Sequence, residues 1–279
     1  MVDGSSTWQH QPLTGRRRTG EAVLLKAMLV RQLDNATFRQ TEGLLRTCNE
    51  LLGIDQVPDH TTLSRWNATG RFCQVLRRFH RYLHTLLPTR DVVAAVDSTG
   101  YSNSKVPWTA TPYPARAAGQ WLKSHCIVEL PSLRYLGCVI TRGGVHDSQP
   151  MRELLEELPP NVRIKRLLGD GAYSGDPCMQ AVRDAGITPM FDFRADSRFN
   201  PEPMTVREKG RYFEVRFPRR KRALMGLRSL IETAFGVTKG RFGHRLRCRA
   251  KIARRNEIRA KQILHDVRIS AAIAFTLGG

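Results

Sequence analysis

Residues 91–99 read DVVAAVDST. Val92 to Val96 form a short apolar run rich in β-branched residues, and such a run reads as a buried strand. Asp97 closes it, ahead of the turn-forming Ser98, Thr99 and Gly100. The pattern repeats downstream. VRIKRLLGD at 162–170 is a strand that closes on Asp170, followed by GAYSG. Between the two, SHCIVEL (124–130) and RYLGCVITR (134–142) read as a hairpin turned at Pro131 and Ser132. DSQPMRELLEEL (147–158) reads as a helix with Asp147 or Ser148 as its cap. DPCMQAVRDAG (176–186) reads as a helix and ITPMFDF (187–193) as a strand. The order β, β, β, α, β, α, β predicts a mixed α/β sheet. Residues from about 195 to 222 break the alternation, and MTVRE–KG–RYFEVRF at 204–217 reads as a small inserted hairpin.

Acids at the carboxyl ends of strands lie where sites form in α/β sheets. A single such Asp is usually a turn residue. Asp97 and Asp170 together with a third acid, Glu232, on a later helix are more specific. Three carboxylates at one point repel unless a cation sits between them. Magnesium meets that need with hard oxygen ligation, and two such ions can hold both the attacking and the leaving oxygen of an in-line phosphoryl displacement.

Glu232 stands in RSLIETAFGVTKGRFG, residues 228–243. At about 100° per residue, Arg228, Glu232, Phe235 and Lys239 share a stripe roughly 60° wide. Leu224, Leu227, Leu230, Ile231, Ala234 and Phe242 fall on an adjoining face that can pack on the sheet. An acid flanked by cations suits metal and phosphate together; the same residues also suit an ordinary i,i+4 Arg–Glu surface pair.

The surroundings are basic. Residues 204–261 hold 19 Lys+Arg against 4 Asp+Glu, and the whole chain of 279 residues carries a formal net charge of +20 with a pI near 10.6. Charge of this size points to a polyanionic partner, foremost nucleic acid. The runs RRKR (219–222) and RLRCRAKIARR (245–255) read as its contact surface, with Arg241 beside them. Residues 1–20 read as a basic arm with RRR at 16–18. The opening stretch has no apolar core of a signal peptide, no run of about 18 apolar residues suggests a membrane span, and the six scattered cysteines fit neither a zinc site nor a disulfide framework. A reducing, intracellular setting follows.

Residues 21–90 read as a helical domain. EAVLLKAMLVRQL and TFRQTEGLLRTCNELLG have apolar residues at helical spacing, with Gly53 as the second helix's stop. Pro58 then forces a turn, Asp59 or Thr61 caps TTLSRW, and RFCQVLRRFHRYLHTLL continues as a basic amphipathic helix. A helix-turn-helix with Thr61, Thr62, Ser64 and Arg65 facing DNA fits this outline. A bundle that only supports the next domain fits it equally.

AAVDSTG, GGVHDSQ (143–149), LLGDGAYSG and the R-x3-E-x6-K spacing of Arg228, Glu232 and Lys239 together resemble the DDE transposases of prokaryotic insertion sequences, in the group with a Y-x2-R-x3-E-x6-K signature. The resemblance covers residues 21–275; Met225 departs from it at the tyrosine position. It implies an RNase H-like catalytic core over 91–275, interrupted by an insertion at about 195–222 before the last catalytic helix and preceded by a helical DNA-binding domain. It implies Asp97, Asp170 and Glu232 as catalytic residues holding two Mg2+ (or Mn2+) ions, and a homodimer or larger assembly on double-stranded DNA, both element ends and target. Water would free a 3′-OH at the element end, and that 3′-OH would attack the target, in the cytoplasm or nucleoid of a bacterium or archaeon, with no membrane partner. A transposase-derived DNA-binding protein without catalysis and an RNase H-like nuclease are the competing readings.

Further residues carry two readings each. His146 and Asp147 are a helix cap or a shell around the acids. Trp108 and Trp121 are packing or a stack for an extruded base. Lys123 and His125 are strand residues or phosphate contacts, and Tyr173 reads as packing.

Overall fold

The computed structural model describes residues 19–102, 121–193, 197 and 199–277, without the side chains of 220 and 274–277. Residues 1–18 of the expected arm, and Trp108, lie outside the described residues.

The chain forms two compact units, one of residues up to Phe79 together with Cys248–Leu264, the other of His80–Arg247 together with residues from His265 on. The first unit is helical. It contains α1 (Glu21–Leu33), α2 (Phe38–Thr47), α3 (His60–Asn67) and the start of α4 (Gly70–Thr85). Leu24, Ala27, Leu45, Ile54 and Leu63 form its core. Thr37 and Gln40 close a reciprocal capping box on α2. That helix ends at Thr47, and Gly53 sits in the following turn at φ 57°, a conformation glycine adopts freely. Asp59 caps α3 by accepting the Thr62 N–H at 2.8 Å. The late segment is tied in by Asn256, whose Nδ2 donates to Asn67 O at 2.9 Å.

The second unit holds a five-stranded sheet in the order β3-β2-β1-β4-β5. Its strands are β1 (Arg90–Ser102), β2 (Trp121–Leu130), β3 (Tyr135–Arg142), β4 (Val162–Gly169) and β5 (Thr188–Phe191). The three strands β1 to β3 run antiparallel in sequence, whereas β4 joins β1, and β5 joins β4, in parallel. This is an RNase H-like mixed sheet. Helices α5 (Met151–Glu156) and α6 (Asp176–Asp184) cover one face, where Val92, Ala94, Val96, Leu136, Leu154, Leu167, Val182 and Phe191 are packed together.

Two readings of the sequence change. Strand β1 does not stop at Asp97 but continues through Ser98–Ser102, because β2 pairs with it as far as Ser102. The insertion is helical, not a hairpin: α7 (Val206–Arg216) is followed by α8 (Pro218–Met225). Thr205 and Glu208 form a capping box at its start. Gly210, read as a hairpin turn, lies mid-helix where a Cβ would come within 3.0 Å of Met179 Cε, so it serves close packing.

Gly169 ends β4 in the tightest spot of the sheet. A Cβ there would lie 2.8 Å from Phe191 Cδ1 and 3.0 Å from Val96 Cγ1, both in the core. Gly169→Ala should therefore destabilise the protein by about 1–3 kcal/mol, read as a lowered urea midpoint; an unchanged midpoint would mean that Phe191 has room to move.

Candidate active site

Side chains alternate along a strand. Val92, Ala94 and Val96 face α5 and α6, so Asp97, Thr99 and Tyr101 point from the opposite face. On β4 the paired residues are Ala94 with Leu167 and Ala95 with Leu168. Continuing by two residues brings Asp97 opposite Asp170, at an interstrand spacing of about 4.8 Å. Both acids thus stand where the parallel pairing of the central strands ends. Asp170 Oδ1 accepts the Ala172 N–H at 2.9 Å and starts the short turn Gly171–Tyr173.

Burial raises the Asp97 pKa to about 6; the Ser98 N–H, donated to Asp97 Oδ1 at 2.7 Å, acts against this, Asp170 reinforces it, Arg228 opposes it and Asp147 adds to it. Burial, more than the charge of its neighbours, therefore disfavours the ionised Asp97 carboxylate. Tyr173, fully buried beside these acids, has a hydroxyl with no hydrogen-bond partner, and its pKa is held high by burial and then by Asp147, Asp97 and Asp170. Oxygen donors and an orphan hydroxyl fit hard divalent ions.

The third acid arrives on α9 (Leu230–Phe242). The expected continuous helix is broken: Gly226–Ser229 is a 3-10 turn that carries Arg228. Ile231, Ala234, Phe235, Thr238 and Phe242 are buried; Phe235 lines one cleft with Glu232 and Lys239, as their shared stripe predicts, while Leu227, expected on the packing face, is exposed. Glu232 is exposed. It lines a cleft of about 490 Å3 together with Asp97, Thr99, Trp121, Lys239 and His244. Asp170 does not line this cleft. Among the described residues, Arg228 comes within ion-pair distance of Asp97, 4.0 Å from Nη1 to Oδ2, and not of Glu232, so the i,i+4 surface pair is not what forms. Lys239 Nζ donates to Thr99 Oγ1 at 2.6 Å and lies 5.2 Å from the Tyr101 ring; burial lowers its pKa to about 8. Arg241 is exposed and outside the cleft lining. A larger cavity of about 730 Å3 is lined by Arg166, Arg183, Lys209, Met190 and Phe213 among others, with no acid in its wall, and offers nothing for metal chemistry.

Asp147 is not a helix cap. The cap position of α5 is Pro150, with no side-chain bond. Asp147 Oδ1 instead accepts from Lys123 Nζ at 3.2 Å and lies 3.4 Å from His125 Nδ1. Ser148 is not the cap either: its hydroxyl bonds exposed His146 Nδ1 at 2.8 Å. His125 is buried, bonds Thr141 Oγ1 at 2.8 Å and is kept neutral by burial, at a pKa of about 4, so it is no phosphate contact. Trp121 is 2% exposed and forms cleft wall. The sequence reading passed over His244 and Thr99; their only signal is proximity in sequence to α9 and Asp97. Lys221, read as part of a contact surface, turns inward to Phe191 O and Glu214 Oε1, each at 2.8 Å. In the helical unit Ser64 and Arg65 are exposed, whereas Thr62 is half-buried with its hydroxyl donating to Asp59 Oδ2 at 3.0 Å.

Residues 88–265 match the family model described as "Transposase DDE domain". No curated protein matches the chain significantly.

The Asp97 shift has a stability consequence with a definite sign. The folded pKa of about 6 lies above the ordinary aspartate value of 3.8, so folding is favoured below pH about 4 and this contribution is lost as pH rises through about 6. Two pKa units bound the effect at about 3 kcal/mol; the carboxylate is 21% exposed, which with solvent screening leaves about 1–2 kcal/mol. In chelator, Asp97→Asn should stabilise the protein by that amount at pH 8 and by nothing at pH 4. Parallel thermal melts that show no pH-dependent difference would place Asp97 in a solvated setting.

Proposed function

The chain belongs to the transposase DDE domain family, and on that footing we propose that it is the transposase of a prokaryotic insertion sequence that cleaves element ends and joins their 3′-OH to target DNA. The observation that carries this reading is the β1–β4 register, which, continued two residues past Ala95 and Leu168, sets Asp97 opposite Asp170, with Glu232 and Lys239 brought to the Asp97 cleft by α9. Asp97, Asp170 and Glu232 are the residues to hold two Mg2+ (or Mn2+) ions. When bound, such ions supply Lewis acidity to an in-line displacement at phosphorus.

The chain's own groups do the positioning. Asp170 is fixed by the Ala172 N–H, and Asp97 by the Ser98 N–H. Arg228, already beside Asp97, reaches a non-bridging phosphate oxygen with little movement. Lys239 exchanges Thr99 for a phosphate, whose charge restores the ammonium's pKa. Asp147, held by Lys123, adds negative charge behind Asp97 and strengthens its hold on cations. Arg228, Glu232 and Lys239 stand as the R-E-K part of the signature, with Met225 in place of the tyrosine. In the helical unit, Ser64 and Arg65 on α3 are the residues to read base edges, as the second helix of a helix-turn-helix. Residues 21–90 then choose the sequence, while 91–275 do the chemistry. Among the described residues no helix is long and apolar enough to cross a membrane; the reading sets the protein on DNA in a bacterial or archaeal cell, as a dimer or larger assembly that holds two ends.

Asp97→Asn, Asp170→Asn and Glu232→Gln should each abolish Mg2+-dependent cleavage of end DNA, a loss of at least roughly 1,000-fold, while DNA binding persists. Cleaved ends without joined products in the wild type would favour the nuclease reading, and near-normal cleavage by Glu232→Gln would remove the third acid.

Phosphate and base contacts separate by salt. Arg228→Ala and Lys239→Ala should each lower the salt slope of binding by roughly one, equally on end and random DNA. Ser64→Ala with Arg65→Ala should instead cut the preference for end DNA by roughly tenfold. Competition binding across a salt series measures both, and retained preference in the double variant would assign sequence choice elsewhere.

A further inference from the structure

A second cluster of ligand-type side chains lies within the sheet unit. His80 and His84 are one helical turn apart on α4, and Asp266 comes from α10 (Lys251–Leu277). All three are buried, at 5%, 0% and 0% exposure. Each offers one ligand atom within 4.8 Å of those of the other two.

Their arrangement suits a metal. Burial raises the Asp266 pKa, and the N–H groups of the two histidines outweigh it and hold the carboxylate ionised. His80 Nε2 donates to Asp266 Oδ2 at 2.7 Å. His84 Nε2 lies 2.8 Å from Tyr135 O, which can only accept, so Nε2 bears the proton. Burial keeps His84 neutral, and its Nδ1 is left with a lone pair and no hydrogen-bond partner inside the protein. His84 Nε2 also lies 3.6 Å from Asp266 Oδ2, so it is the nitrogen that faces the carboxylate and the one a metal would take in place of its proton. Tyr135 N–H donates to Asp266 Oδ1 at 2.9 Å, so the carboxylate too is oriented from behind.

We propose that His80, His84 and Asp266 form a buried site for a zinc-class transition metal, separate from the acid cleft. Two imidazoles and one carboxylate match Zn2+ and not Mg2+. Metal–ligand bonds of about 2.0–2.2 Å span ligand atoms up to roughly 4 Å apart, so a contraction of under about 1 Å closes the site. Binding displaces the Nε2 protons of His80 and His84, which pass to solvent or to the rings' Nδ1, and puts the metal in their place. Arg134, close enough to depress the His84 pKa, opposes the added charge and limits affinity. Tyr135 also bonds Thr238 Oγ1 at 2.9 Å and donates to Ala234 O at 3.2 Å, so the metal would brace the helix that carries Glu232.

The test uses full-length protein with Asp97→Asn, Asp170→Asn and Glu232→Gln, which removes the acid cleft as a competing site. Added Zn2+ should bind at one ion per chain and, at roughly 100-fold excess over its Kd, raise Tm by about 5 °C or more, with no such rise from Mg2+. Adding His84→Ala or Asp266→Asn should abolish both effects. Zinc-edge X-ray absorption needs neither further variant and should show two imidazole ligands. Absence of stoichiometric binding, an all-oxygen shell, or equal binding by a folded His84→Ala protein would each overturn the proposal.

Discussion

Parallel strands bring two side chains to one face only when their registers agree. Here β1 and β4 change register once: Val92 pairs with Ile164, but Val93 pairs with Arg166. Lys165 is the extra residue. Had the first register continued, Asp97 would stand opposite Gly169, and Asp170 would point with Val96 into the core. A one-residue slip exchanges every side chain between faces, and this bulge performs that exchange just before the strand ends. Bulges in parallel pairs are rare and tend to re-aim side chains near sites. The acid pair rests on it.

Once aligned, the acids create a problem that the surrounding residues answer in part. Asp97 is shielded from water and faces Asp170, with Asp147 not far behind, and its proton is correspondingly hard to remove. The nearby cations are each committed elsewhere or held back. Lys123 serves Asp147, Lys239 is bonded to Thr99 and partly desolvated, and Arg228 stops at the limit of an ion pair. A fully compensated cluster would be more stable and would have no call for metal. A cation bound beside buried Asp97 would stabilise the charge that burial disfavours.

The strands and their order were legible because apolar runs of five to nine residues between turn residues leave little choice. The three acids stood out as members of spaced motifs, and the structure sets two of them, Asp97 and Glu232, in one cleft. The register was not legible. Nothing in VRIKRLLGD marks Lys165 as an extra residue, since bulges follow from pairing with a partner strand and not from local preference. The inserted hairpin was a misreading of Gly210, and the competing signal was present: Thr205 followed three residues later by Glu208 announces a helix. Asp147 as a cap was also reasonable locally, but Lys123 on the neighbouring strand offered a stronger partner. Leu227 falls off the packing face because the backbone winds more tightly at residues 226–229 than an ideal helical wheel allows.

The helical unit is not continuous in sequence. Its helices are drawn from the first part of the chain, yet Cys248–Leu264 complete it: Asn256 satisfies the carbonyls of Asn67 and Thr69, and Asn67 Nδ2 reaches Cys248 Sγ at 3.2 Å. On a ribosome, α1 to α3 emerge long before those residues exist. The segment that carries Ser64 and Arg65 has its apolar core at once, from Leu24 to Leu63, but the carbonyls of Asn67 and Thr69 wait for Asn256 until the whole sheet has been synthesised.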